Sequence, residues 1–205
     1  MPVVSAHKDF PRFFRLLDPK LQPGMYTAWQ GDVARQAIPR WMSRPYRLTG
    51  VGSVLTGARW SVKGLMPAIY ASTDPAALSA EIHYKGLRYG WSPADYHPQL
   101  MVGMRWHLQA VVDLTSAATL KALKVTHRQL VSADWNAVQT DGHEPVTQAI
   151  ARAAFEHMAE GLIVPSARRA GGVNIVYFPS HRRDGTVIQT INPEALPPDL
   201  HGLKP

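Results

Sequence analysis

Arg35 precedes the run Gln-Ala-Ile-Pro, Arg59 stands between a Gly-Ala turn and Trp60, Glu81 interrupts an Ala-rich helical stretch, and Ser166 follows Leu-Ile-Val-Pro. Their types define a chemistry. Guanidinium groups grip phosphates through paired N–H donors, a carboxylate stabilises positive charge that develops in a transition state, and a hydroxyl can orient either partner. Taken singly, each also has an ordinary role as a surface charge, a solvated helix residue or a turn residue. A shared purpose has to come from their order and surroundings.

Other chemistries are excluded by missing parts. Gly52-Ser-Val-Leu-Thr-Gly57 has the glycine spacing of a phosphate loop, but Ala58-Arg59 stands where Lys-Ser/Thr would hold phosphate and magnesium. Gly50-Val-Gly52 lacks the third glycine of a dinucleotide-binding turn. No Gly-x-Ser-x-Gly elbow occurs. The absence of cysteine removes disulfides, thiolate nucleophiles and zinc-thiolate sites. The nine histidines are scattered without ligand spacing, so no metal site is expected.

The elements that must position these residues belong to one domain of 205 residues with 45% hydrophobic composition, enough to bury a full core. The formal charge of +7 invites nucleic acid as a partner. The basic residues are dispersed among turns, however, and no predicted helix presents a basic face. The N-terminus has no apolar signal region and no apolar run is long enough to span a bilayer, so a cytoplasmic protein without membrane contact is expected.

Asp9 before Pro11 predicts a helix start, with Phe13, Phe14, Leu16 and Leu17 as an apolar face that lids the core. Between Trp29 and Leu65, Pro39, Pro45, Gly50, Gly52, Gly57 and Gly64 predict an irregular stretch without long elements. Ala68–Ala71 reads as a strand, and Asp74-Pro75 starts a helix running through Glu81 to His83. Val102, Met104, Trp106 and Leu108 alternate in a strand between Met101 and Leu114, after which Thr115 or Ser116 caps a helix. Pro145–Glu160 predicts the clearest helix, with a stripe of Val146, Ala149, Ile150, Ala153, Ala154, His157 and Met158 and with Gly161 as its C-terminal cap. Leu162–Val164 and Asn174–Phe178 are strands flanking the Ser166–Gly172 loop; Thr186–Ile191 is a last strand, and a Pro-rich tail extends over the surface. The pattern is mixed α+β with short strands.

The blocks Arg35-Gln-Ala-Ile-Pro-Arg-Trp41, Gly50-Val-Gly52, Gly57-Ala-Arg-Trp60, Lys63-Gly64, Ile69-Tyr-Ala71 and Ala77-Leu-Ser-Ala-Glu81 resemble, in order, the RES family, named for Arg, Glu and Ser. Val112-Asp-Leu-Thr115, Gly161-Leu-Ile-Val-Pro-Ser-Ala167, Gly171-Gly-Val-Asn174 and Phe178-Pro179 resemble its later blocks. The resemblance covers Trp29 to Pro179 and implies a single RES domain over residues 1–205, with a core of about 29–179 and extensions at both ends. The family pattern Gly-Gly-Arg-Trp-Asn is here Gly57-Ala58-Arg59-Trp60-Ser61. The family's first arginine often follows an aromatic residue, whereas Arg35 follows Val33-Ala34, which leaves Arg40 as its alternative.

The resemblance implies an α+β, ADP-ribosyltransferase-like fold: short, mostly antiparallel strands in a split sheet with flanking helices. It also implies a toxin of a toxin-antitoxin pair that consumes NAD as substrate. Glu81 is then the catalytic carboxylate facing the ribose, and Arg35 and Arg59 are the pyrophosphate ligands. Tyr70 or Tyr46 stacks on nicotinamide, with Trp41 and Trp60 as walls. Ser166 positions the arginine and carboxylate, and Asn174 ties the Ser166 loop to the sheet or serves as a turn residue. The acceptor is left open between a protein side chain, with phosphoribosyl pyrophosphate synthetase as an example, and water or phosphate. An antitoxin partner is implied, with an acidic segment facing Arg35, Arg40, Arg44, Arg47 and Arg59; nucleic acid enters only through that partner. An inactive relative kept as a binding module is the alternative function.

Overall fold

The computed structural model describes residues 4–42, 47–90, 92 and 98–192, with the side chains of residues 40, 85, 88 and 89 outside the description. Tyr46, Arg44, the side chain of Arg40 and the Pro-rich tail therefore lie outside it.

Six strands form one sheet: β1 (Tyr26–Ala37), β2 (Ile69–Ser72), β3 (Leu100–Asp113), β4 (Gly161–Pro165), β5 (Val173–Tyr177) and β6 (Val187–Thr190), ordered β1-β2-β5-β4-β3-β6 with β1 also paired to β3. The β1–β3 pairing closes the sheet on itself. All ladders are antiparallel except β3–β4. The closure is lopsided. β1 runs along β3 from Tyr26 opposite Val112 to Ala37 opposite Leu100, whereas β1 meets β2 at one register pair, Ala34 opposite Ser72.

Side-chain alternation explains the two-sided core. Val33, Ile69, Ala71, Val102, Met104, Trp106, Leu108, Ile163, Ile175 and Tyr177 fill the inside of the closed sheet. The intervening residues Val112, Leu162, Val164 and Val176 face outward against helices. The helices are α1 (Phe10–Leu16), α2 (Pro39–Met42), α3 (Val51–Thr56), α4 (Pro75–Tyr89), α5 (Ala117–Leu123), α6 (His127–Ser132), α7 (Trp135–Thr140) and α8 (Val146–Glu156). Ala149, Ile150, Ala153 and Ala154 of α8 are fully buried against that outer face, together with Phe13 and Leu17 from the α1 region. The larger of these, Ile150, Phe13 and Leu17, contribute about 1.5–3 kcal/mol each.

Several sequence expectations are corrected. Trp29–Ala37 is not irregular: it belongs to the 12-residue β1, and β3 has 14 residues, so the strands are not uniformly short. Pairing with β3 imposes extended structure on a segment whose own pattern carries little of it. α4 continues past His83 to Tyr89, and its cap is as expected, with Asp74 accepting from the Ala76 amide at 2.9 Å. Ser116 rather than Thr115 caps α5. Asp9 makes no side-chain cap and instead pairs with Arg12 at 3.3 Å. Phe14 is not on the buried face; its ring lies 4.1 Å from His157, whose Nε2 meets the Phe14 carbonyl at 2.7 Å.

Gly161 is not the cap of α8. The helix ends at Glu156, Met158 turns the chain at φ 62°, exposed and off the stripe, and Gly161 opens β4. A Cβ at Gly161 would be driven into the Val176 carbonyl, so glycine serves strand approach there.

Candidate active site

β1 and β2 share a single register pair, and the cleft draws on residues from both sides of this seam. Its volume is about 450 Å³, and Arg35, Arg59, Trp60, Tyr70, Glu81 and Asn174 all line it. They come from β1, the turn after α3, β2, α4 and β5, which the sheet register brings together.

Glu81 is half-buried on α4, one face of which packs on β1 and β2. Its Oε1 accepts from Asn174 Nδ2 at 2.7 Å and from Ser166 Oγ at 3.0 Å. Two donors on one oxygen fix the carboxylate's position. Asn174 is 8% exposed and its Oδ1 is buried without a partner. Asn174 is thus neither a turn residue nor a tie to the Ser166 loop: it sits in β5 opposite Ser72 and Val164 and reaches across to α4.

Ser166, 5% exposed, stands behind Glu81 immediately after β4. Among the described residues its hydroxyl touches no arginine side chain; besides donating to Glu81 it accepts from the Arg168 backbone amide at 3.3 Å. The loop folds back through Ser166 N–H to the Gly172 carbonyl at 2.8 Å, and Arg169 pins it to Asp74.

Arg35 faces the cleft in a different state. Its Nε is buried with no hydrogen-bond partner, and burial, reinforced by the nearby Arg47, pushes its pKa down to about 10. A desolvated guanidinium without an anion is costly. Arg47 itself turns away from the cleft, donating to the Met42 carbonyl at 3.2 Å and Thr190 Oγ1 at 3.0 Å. Of the five arginines expected at one mouth, Arg35 and Arg59 line the cleft and Arg47 does not.

Arg59 is held by the end of α6: its Nη1 donates to the Leu130 and Ala133 carbonyls at 2.9 and 3.0 Å. Burial and the neighbouring Arg168 lower its pKa, against the opposing pull of Glu81. The turn carrying it closes between Ala58 and Ser61 through paired backbone bonds of 3.0 and 3.2 Å. Ser61, where the family pattern has asparagine, accepts from the Tyr70 hydroxyl at 3.3 Å, and that hydroxyl accepts from Trp60 N–H at 3.1 Å. The Tyr70 hydroxyl is thereby tied to the Arg59 turn, and burial raises its pKa. Trp60 is 2% exposed and belongs to the outer core, so it supports the wall rather than standing free in the cleft.

Sequence reasoning missed Tyr84, Trp135, Asn136 and Arg168, which also line the cleft. Tyr84 was accessible from spacing, one helical turn after Glu81 on α4. Trp135 and Asn136 carry no local signal, because α7 meets the cleft only through the fold. Among the described residues, no group of three or more His, Asp or Glu side chains could hold a metal ion, and no helix is long and apolar enough to cross a membrane.

Proteins named NAD(+) phosphorylase MbcT from Mycobacterium bovis and Mycobacterium tuberculosis are 30% identical to this chain over 134 residues, 63% of this chain and 64% of theirs. The match thus spans less than two thirds of those relatives' length. The crystal structure of the M. tuberculosis MbcT-MbcA toxin-antitoxin complex contains a similar fold: TM-score 0.64, 21% identity, covering 87% of this chain and 88% of that one. The RES domain pattern matches residues 32–199, a span that includes Arg35, Glu81 and Ser166 and both sides of the cleft. The chain belongs to the RES domain family.

Proposed function

We propose that this protein is the toxin of a toxin-antitoxin pair and cleaves NAD between nicotinamide and ribose, passing ADP-ribose to inorganic phosphate. One observation carries the reading: a half-buried Arg35 whose Nε is buried without a partner shares a cleft with a Glu81 carboxylate fixed by Ser166 and Asn174. An anion-seeking group and a held carboxylate in one cleft suit a substrate that is anionic at its pyrophosphate and becomes cationic at its ribose. The choice of phosphate over water or a protein side chain rests on the relatives' name. The antitoxin partner rests on the complex in which the similar fold was solved.

In this mechanism Arg35 takes the pyrophosphate, whose charge offsets the guanidinium's desolvation. Glu81 faces the ribose, where the C–N bond breaks through an oxocarbenium-like state and the carboxylate gains interaction energy as charge develops. Ser166 acts through Glu81 as a positioning residue. Tyr70, its hydroxyl already engaged, has its ring left for the nicotinamide. Arg59 acts chiefly as a framework for the turn and as a local positive charge, since its Nη1 is committed to carbonyls.

We further propose the ADP-ribosyltransferase-like split sheet, with β1, β3 and β6 on one side and β2, β5 and β4 on the other. The single Ala34–Ser72 pair and the short parallel β3–β4 ladder support that division. One RES domain spanning residues 1–205, acting in the cytoplasm where its substrate is present, completes the reading.

The test is incubation of purified protein with NAD and phosphate, following nicotinamide by chromatography and the phosphate ester by phosphorus NMR. Release of both is expected, and Glu81→Gln should lower kcat by about 10²–10³ with the fold intact. No nicotinamide from the wild type, or an unchanged rate in Glu81→Gln, overturns the reading.

A further inference from the structure

Arg168 and Arg169 are adjacent in the loop after β4, yet only one is neutralised. Arg169 pairs with Asp74. Arg168 meets no carboxylate among the described residues; its guanidinium lies 3.2 Å over the Tyr84 ring, and both side chains line the cleft. Stacking on an aromatic face holds a guanidinium in place while leaving its in-plane N–H donors free for an anion. Tyr84 stands one helical turn beyond Glu81, and the Arg168 backbone amide bonds the same Ser166 hydroxyl that holds Glu81. Arg168 is therefore built into the carboxylate's own surroundings.

The cleft has two cationic poles. Arg35 is influenced by Arg47, whereas Arg59 is influenced by Arg168 and, in the opposite direction, by Glu81 and Asp134. A dinucleotide's pyrophosphate neutralises one pole. At the other, Glu81 and Asp134 act on Arg59, which leaves Arg168 as the guanidinium that no carboxylate pairs among the described residues, on the Glu81 side where the reacting ribose carbon would lie.

We propose that Arg168, presented by the Tyr84 ring and backed by Arg59, is the binding site for the acceptor, inorganic phosphate. This rests on the proposed phosphorolysis of NAD. A phosphate oxygen donates a lone pair to the ribose carbon as the C–N bond breaks. The electron pair of that bond leaves on the pyridinium nitrogen, which becomes neutral nicotinamide. Hydrogen phosphate dianion and the ribosyl pyridinium cation give a phosphomonoester monoanion, which then loses its proton to solvent. Arg168 keeps the incoming dianion oriented and offsets its repulsion from Glu81.

The test is steady-state nicotinamide release with phosphate and NAD varied independently, for the wild type, Arg168→Gln, Arg168→Lys and Arg169→Gln. Arg168→Gln should raise the KM for phosphate at least about tenfold while the KM for NAD moves less than about twofold, and Arg168→Lys should recover part of the loss. Arg169→Gln, which loses the loop's anchor but not the proposed ligand, should shift the phosphate KM by less than about threefold. An unchanged phosphate KM in Arg168→Gln, or an equal rise in Arg169→Gln, overturns the assignment while leaving phosphorolysis intact. A wild type that releases nicotinamide equally well without phosphate overturns phosphorolysis itself, and the phosphate site with it.

Discussion

Asn174 donates its side-chain amide to Oε1 of Glu81 at 2.7 Å, across the gap between strand β5 and helix α4. The two residues are 93 positions apart in sequence. This contact, with that of Ser166, converts a helix-surface glutamate into a fixed charge.

Replacing Asn174 by Asp would put a second carboxylate on that oxygen. Two carboxylates at hydrogen-bond distance cannot both ionise, so the pair must share a proton. Asn174→Asp should lower kcat at pH 7 by about 10²–10³ and introduce an apparent pKa above the usual carboxylate range in the pH–rate profile. Asn174→Ala, which leaves Glu81 held by Ser166 alone, should cost less and add no such pKa.

Arg35 is a site where stability and binding oppose each other. Arg35→Met removes a half-buried guanidinium whose Nε has no partner and should raise stability by about 0.5–2 kcal/mol in thermal unfolding. The same change should raise the KM for NAD by about 10–100-fold through loss of a charge-assisted contact.

The depressed pKa of Arg35 also predicts a pH effect on binding. Below about 10 the guanidinium is charged in the free protein, and its anion affinity is fully present. Binding an anion draws that pKa back up, so ADP-ribose affinity should fall as pH rises above about 10, measured by calorimetry. A flat profile from pH 9 to about 11 would show the guanidinium staying charged throughout, and the KM for NAD of Arg35→Met then decides its role as the anion ligand.

His181 sets an acid limit on stability. Burial lowers its pKa, opposed by its Nδ1 bond to the Ala159 carbonyl at 2.9 Å and aided by Arg183. The unfolded chain takes the proton first on acidification, so this contribution is complete above the ordinary histidine pKa and is lost as pH falls through the lower folded value. Tm should drop between pH 7.5 and 5, and His181→Phe should flatten part of that drop.

At Gly161, added bulk meets backbone rather than a side chain that could move. Gly161→Ala should destabilise by about 3 kcal/mol, lowering Tm by about 6–12 °C.

Much of the scaffold was legible from local pattern. The alternation of Val102, Met104, Trp106 and Leu108, the Asp74-Pro75 helix start and the Ala149, Ile150, Ala153, Ala154 stripe depend on side-chain periods and caps that act over a few residues. The long strand β1 was not legible, since its extended form is imposed by pairing with β3. Gly161 misled for a related reason: a glycine after a helix signals a cap, but here it permits two strands to approach.

By itself the sequence determined residue types, their order and thereby the family, together with the helices and strands whose periodicity is local. Only the tertiary structure decided that Nε of Arg35 is buried without a partner, that Arg59 is largely tied to carbonyls, that Ser166 and Asn174 converge on one oxygen of Glu81, and that Arg168 rests on Tyr84. Desolvation and hydrogen bonding depend on what surrounds a group in space, and those neighbours come from strands and helices far apart in the chain.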